Sequence, residues 1–271
     1  MTEDAFIKDL TEKSNGKLNI MSLDDINEHL SKMGIRFLKR GMAKNEFTVL
    51  NVKAAQEFEG MSKIAVMQTI PPGEKTPERV KNYLLYGEIM DSVVTPIILK
   101  NGESYFFVLV NQSRFPLAGK VSIEVLRGFV DKEENIENRS LMLIQRKMPS
   151  LNVIAKLVKS IHLGSFFENT GISSVKLPVN ALFYETKVTM DDAQIKHELT
   201  DKHLVGEDPI TGPALHNVEP VIKPFNEVFT RVDTIVKEPL KTANEYYIND
   251  FFSITAVSLL KMYLEENSLP Y

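Results

Sequence analysis

The clearest hydrophobic pattern lies in the middle of the chain. Val93 to Leu99 is apolar and β-rich, Lys100-Asn101-Gly102-Glu103 supplies an Asn-Gly turn, and apolar positions return from Ser104 to Val110. That order predicts a β-hairpin. A Gln-x-Arg turn (Gln112, Arg114) follows, then a strand over Val121–Leu126, a glycine turn at Gly128 and an acidic loop carrying Asp131, Glu133 and Glu134. Ile136 to Met148 then reads as a helix.

Outward from this centre the pattern is plainer. Residues 1–34 read as helical: Ser22-Leu23-Asp24-Asp25 has the form of a capping box, Ile26, Leu30 and Met33 follow at helical spacing, and Gly34 stands where a helix would end. Ile35 to Gly60 turns strand-like through Phe47, Val49 and Val52. Pro71-Pro72-Gly73 is a break, and Thr76-Pro77-Glu78 predicts the start of a short helix through Tyr86. Beyond Pro149, strands are expected over Ala155–Phe167 and Asn180–Val188, with a turn at Asn169-Thr170-Gly171 between them. Asp191 to Pro224 reads as a long surface loop, and Glu227 to Lys237 as a strand running into a helix. Residues 243–266 carry an apolar helix face through Ile248, Phe251, Phe252, Ile254, Val257, Leu259, Leu260 and Leu264.

Composition narrows the class. The chain has 271 residues, 43% hydrophobic and 25% charged, enough to bury a large core in one big domain or two small ones. Its net charge of −4 gives no bulk basic surface, so nucleic acid is not indicated as a partner. With no cysteine, disulfides and thiolate metal sites are excluded. The acidic, mixed N-terminus is unlike a signal peptide, and no apolar run approaches the roughly 20 residues a bilayer span needs. These features lead us to expect a cytoplasmic protein with no membrane association. The five histidines (His29, His162, His197, His203, His216) show no metal-ligand spacing, and no phosphate loop, nucleophile elbow or zinc spacing is present.

The order of strand, glycine, acidic loop and helix resembles the Nudix hydrolases, in particular their ADP-ribose pyrophosphatase branch. Gln112-x-Arg114, Glu124, Gly128, the Gly164 and Gly171 passage and Ile248-Asn249-Asp250 carry the resemblance over roughly residues 90–266. It implies an α+β fold: a Nudix-like α/β/α sandwich with a mixed sheet over 91–271, a C-terminal helix, and an N-terminal α+β extension over 1–90. Enzymes of this branch commonly form homodimers through that N-terminal region, so a homodimer is a second expectation.

The family's chemistry resides in a box of glycine, five residues, glutamate, seven residues, then Arg-Glu-apolar-x-Glu-Glu-x-Gly-apolar. Carboxylates three and four residues apart share one helix face and hold Mg²⁺, which bridges a pyrophosphate and activates water. On this chain Gly128 and Glu134 keep their places. Met142 stands for the arginine, Leu143 for the first helix glutamate, Arg146 and Lys147 for the adjacent pair, and Pro149 and Ser150 close the box. Three carboxylates are gone, and two cations that repel a metal stand in their place.

The resemblance therefore implies a pseudoenzyme: a catalytically inactive Nudix-fold binding or interaction module for a nucleotide-like or phosphorylated ligand. Arg114, Glu124, Arg127, Arg146 and Lys147 are the candidate ligand-binding residues. No catalytic residue, cofactor or metal is expected. One alternative is an assembly scaffold with a filled pocket and a protein partner. The other is an active pyrophosphatase of nucleoside-diphosphate derivatives whose Mg²⁺ ligands have moved to Glu133, Glu134 and Glu137.

Overall fold

A computed structural model describes residues 3–31, 40, 47–58, 62–71, 74, 76–88, 91–113, 121–130, 133, 135–167, 176–200, 219–238 and 247–267. The expectations resting on Gly34, Arg114, Asp131, Glu134 and Gly171 lie outside the described residues. The chain divides into two compact units, one of Met1–Met90 with Phe167–Lys176, the other of Asp91–Phe166 with Leu177–Tyr271.

The first unit is built from α1 (Glu3–Lys13), α2 (Leu23–Leu30) and an antiparallel meander of β1 (Thr48–Phe58), β2 (Ser62–Ile70) and β3 (Lys81–Glu88). Ser22 caps α2 by accepting from the Asp25 amide at 3.1 Å, as its sequence predicts. Ile26 and Leu30, one turn apart, pack on Val49, Val52 and Ala65. Arg40 is buried and ties this unit together. Its Nε donates to Glu3 Oε1 at 3.0 Å, and its two Nη atoms donate to the Val49 and Met21 carbonyls. The helix expected through Tyr86 is a single 3₁₀ turn, Pro77–Arg79. From Lys81 the chain extends to pair with β2 from Thr69 to Ser62, so sheet pairing overrides the proline start signal.

The second unit is an α/β/α sandwich around an eight-stranded mixed sheet. In chain order it comprises β4 (Asp91–Thr95), β5 (Ile97–Asn101), β6 (Ser104–Ser113), β7 (Val121–Glu124), β8 (Leu126–Val130), α3 (Ile136–Lys147), α4 (Ser150–Ile154) and β9 (Ala155–Phe167). Then come β10 (Lys176–Thr186), α5 (Asp192–Leu199), β11 (Glu219–Pro224), α6 (Phe225–Lys237) and α7 (Phe251–Glu266). The strand order is β11-β6-β5-β10-β4-β8, with β7 paired to β6 and β9 to β10. β10 runs parallel to both β4 and β5, which Pro96 separates into two strands of one line. The Asn-Gly hairpin is present, with Gly102 at φ 60°.

Each face of the sheet has its own core. Val93, Ile97, Leu99, Val108 and Leu182 pack under α3, α4 and α5, while Val94, Ile98, Phe107, Leu109 and Ala181 pack under α6 and α7. The alternation along β4, β5 and β6 is the two-residue period of strands buried on both sides.

Three expectations are corrected here. Asp191 to Pro224 is not loop throughout: α5 starts at a reciprocal Asp191–Gln194 capping box, and β11 pairs with β6. Glu227 to Lys237 holds no strand, because Phe225, Val228, Phe229, Val232 and Ile235 form one buried helical stripe. Gly128 is not a turn but the middle residue of β8, opposite Val93.

Candidate functional site

The surroundings of α3 arise from local sequence. Asn135 caps the helix by accepting from the Asn138 amide at 3.1 Å. Ile136, Ser140, Leu143 and Ile144 then recur on one side and face the sheet, with Leu143 and Ile144 fully buried. Each of these two contributes about 1.5–3 kcal/mol by leaving water. A buried polar network pins the middle of the helix. Ser140 Oγ accepts from Asn180 Nδ2 at 3.0 Å and from Thr95 Oγ1 at 3.2 Å, and donates to the Ile136 carbonyl. Asn180 also donates to Ser160 on β9.

The acidic entry to α3 is held from the start of β4. Asp91 Oδ2 accepts from the Glu133 amide at 2.7 Å and pairs with Arg139 Nη2 at 3.2 Å, while Arg139 Nε donates to the Glu133 carbonyl. The Glu133 carboxylate accepts from the Asn135 amide at 2.8 Å, so it is turned to the helix entry. Glu137 lies exposed in the first turn, where a negative charge suits the helix dipole. Glu134 lies outside the described residues.

The candidate ligand residues divide between the two faces of the sheet. Glu124 is buried on β7 opposite Val110, a residue of the α3 core, so it belongs to the α3 side. Arg146 and Lys147 end α3 on that side, half-buried, and Arg146 Nη1 donates to the Phe129 carbonyl at 2.9 Å. Arg127 is across the sheet, its guanidinium 3.7 Å from the centroid of the Phe252 ring on α7. Arg114 lies outside the described residues. The structure thus brings Glu124, Arg146 and Lys147 to one face and separates Arg127 from them. The separation follows from the packing of β8, where Leu126, Gly128 and Val130 face α3 and Arg127 points the other way.

The donor set on α3 does not fit a divalent metal. Leu143 is apolar and fully buried, Arg146 and Lys147 are cations, and among the described residues no three His, Asp or Glu side chains converge. Mg²⁺ requires hard oxygen ligands in octahedral array, which these side chains do not offer. Leu143 instead lies against Gly128, where an added Cβ would sit 2.6 Å from its Cδ1.

A cleft of about 400 Å³ opens elsewhere, on the α7 face, lined in part by Ile98, Lys100, Lys159, Phe183, Glu185 and Leu264. None of the candidate ligand residues among the described residues lines it. Sequence reasoning missed it because its residues come from β5, β6, β9, β10 and α7 and share no motif. Among the described residues no helix is long and apolar enough to cross a membrane.

No protein-family model and no curated protein sequence matches the chain. Its structure is similar to a solved structure described as an ADP compounds hydrolase, with a TM-score of 0.51 and 10% sequence identity, covering 85% of this chain and 100% of that one. That coverage exceeds the second unit and reaches into the first. At this identity the likeness is one of architecture, and the architecture is a Nudix-like fold.

Proposed function

We propose that the chain is a Nudix-fold binding module that has given up metal-dependent hydrolysis. The observation that carries this reading is the side of α3 that the resemblance assigns to metal ligands. There Leu143 is sealed against Gly128, and Arg146 is bonded to the Phe129 carbonyl. The solved structure of similar fold hydrolyses ADP compounds by its description, which favours a nucleotide-like or phosphorylated ligand here. Arg146 and Lys147 are the cations that would meet its phosphates, as charged donors in place of a metal.

Calorimetric titration with ADP-ribose, with and without Mg²⁺, together with an assay for AMP release, tests the reading. The expected outcome is binding that is indifferent to Mg²⁺, with no AMP formed. Arg146→Glu should weaken it by about tenfold or more, the scale of a charge-assisted hydrogen bond lost. Metal-dependent AMP release overturns the proposal and returns attention to the acids around Glu133. A second reading, an assembly scaffold, is favoured by Val236, Phe251 and Met262, apolar side chains of α6 and α7 that are more than half exposed. Sedimentation showing a stable complex with a protein partner, and no ADP-ribose binding, would select it.

A further inference from the structure

The cleft on the α7 face is a built feature of the second unit. Alternation puts Ile98 and Lys100 of β5 on one face, and Phe183 and Glu185 of β10 on the same face beside them. Ile161 of β9 and Leu264 in the last turn of α7 complete an apolar floor. Charge stands at the edge. Lys100 Nζ lies 3.4 Å from Glu185 Oε1, and Lys156 Nζ lies 3.6 Å from Glu185 Oε2, so the one acid among the cleft's described residues is shared by two cations. Lys159 is different: its Nζ is 5.7 Å from the Tyr263 ring centroid, and it pairs with no carboxylate among the described residues.

Protein interiors are close-packed, and voids larger than a water are few. A hollow of about 400 Å³ falls within the roughly 300–1,000 Å³ typical of small-molecule sites, which combine apolar walls with a few convergent polar groups. Here the apolar floor asks for a hydrocarbon or aromatic body, and the excess of cations asks for a negative end. A neutral molecule would leave Lys159 unused, and a cation would meet Lys100, Lys156 and Lys159 together.

We infer that this cleft binds a small amphipathic anion, its apolar body against Ile98, Phe183 and Leu264 and its carboxylate or phosphate against Lys159. The site is across the sheet from α3 and does not rest on the reading of that helix.

The test is calorimetric titration of the full chain with octanoate, octyl phosphate and neutral 1-octanol. At least one of the two anions should bind one per chain, and the difference between them identifies carboxylate or phosphate as the preferred end. Octanol should bind about tenfold more weakly or worse, the scale of a charged hydrogen bond lost. Lys159→Glu, at an exposed position, should weaken the anion by at least that factor and leave octanol unchanged. Ile161→Trp, which fills the floor, should abolish all three, and Lys237→Glu on α6 should alter none. Absence of saturable anion binding at millimolar concentration overturns the inference. So does octanol binding as well as the anions, or anion binding that Lys159→Glu leaves intact.

Discussion

At Gly128 a single hydrogen sets how closely α3 approaches the sheet. The residue sits inside β8, paired to Val93, so no turn requires glycine there. What requires it is space, since a Cβ would stand 2.6 Å from Leu143 Cδ1, well inside the roughly 3.5–4 Å of an ordinary carbon contact. Leu143 is fully buried in the core, so its Cδ1 can turn aside only by displacing packed neighbours. Gly128→Ala should therefore cost about 1–3 kcal/mol, as overpacking does. Leu143→Ala should cost about 2–5 kcal/mol through the cavity it leaves. The double variant should cost clearly less than the two together, because the shortened side chain makes room for the new methyl. Denaturant unfolding of the four proteins measures the cycle, and strict additivity would mean that the two residues do not meet. The same contact explains the chemistry of the site. A glutamate at 143 would put a carboxylate into this dry pocket, which is costly unless it is paired.

Between elements, α6 and α7 are joined by Lys261 Nζ and Asp233 Oδ2 at 2.8 Å. The Lys261 hydrogen bond holds the Asp233 carboxyl below its ordinary range; burial opposes it, and the charges of Lys261 and Lys237 add to the lowering. A carboxyl with a depressed folded-state pKa adds stability above its unfolded pKa and loses it as pH falls through the folded one. Wild type should thus be more stable than Asp233→Asn at neutral pH, by at most about 1 kcal/mol for so exposed a pair, and the gap should close under acid. Thermal melts across that range check both the sign and the window. Elements carrying their own signals are legible in the sequence: the Asn101-Gly102 hairpin, α3, and β9 at its observed bounds. β3 is not, because Thr76-Pro77-Glu78 specifies only one turn, and pairing with β2 sets the conformation from Lys81 onward. α6 is obscured because its β-branched Val228, Thr230, Val232 and Thr234 resemble a strand, although its buried positions keep a helical period. At the site, the lost acids on α3 can be read by spacing. That Arg127 and Arg146 stand on opposite faces depends on register and packing, which only the assembled sheet displays.

For the second unit as a whole, the sheet separates the two proposed sites, which differ in chemistry. The α3 face offers Arg146 and Lys147 at a helix end, and the α7 face offers an apolar cleft edged by Lys100 and Lys159. With a net charge of −4, neither proposed site can draw on a general positive field, so an anion at either would be held by local contacts. The two faces of a sheet carry separate cores, and packed layers lie about 10 Å apart, at the distance beyond which effects usually add. Coupling between ligands is reciprocal and needs an element with two arrangements that both ligands bias. The Thr95–Ser140–Asn180–Ser160 network holds α3 to β4, β10 and β9 through buried hydrogen bonds, which favours a single arrangement. The affinity for ADP-ribose should therefore be the same, within about twofold, in the absence and presence of saturating octanoate. Arg146→Glu should weaken only the first ligand and Lys159→Glu only the second. Calorimetry on the wild type and both variants tests all of this. Mutual exclusion of the ligands would mean that they share one site, and a reciprocal change of affinity would mean that the sheet transmits between its faces.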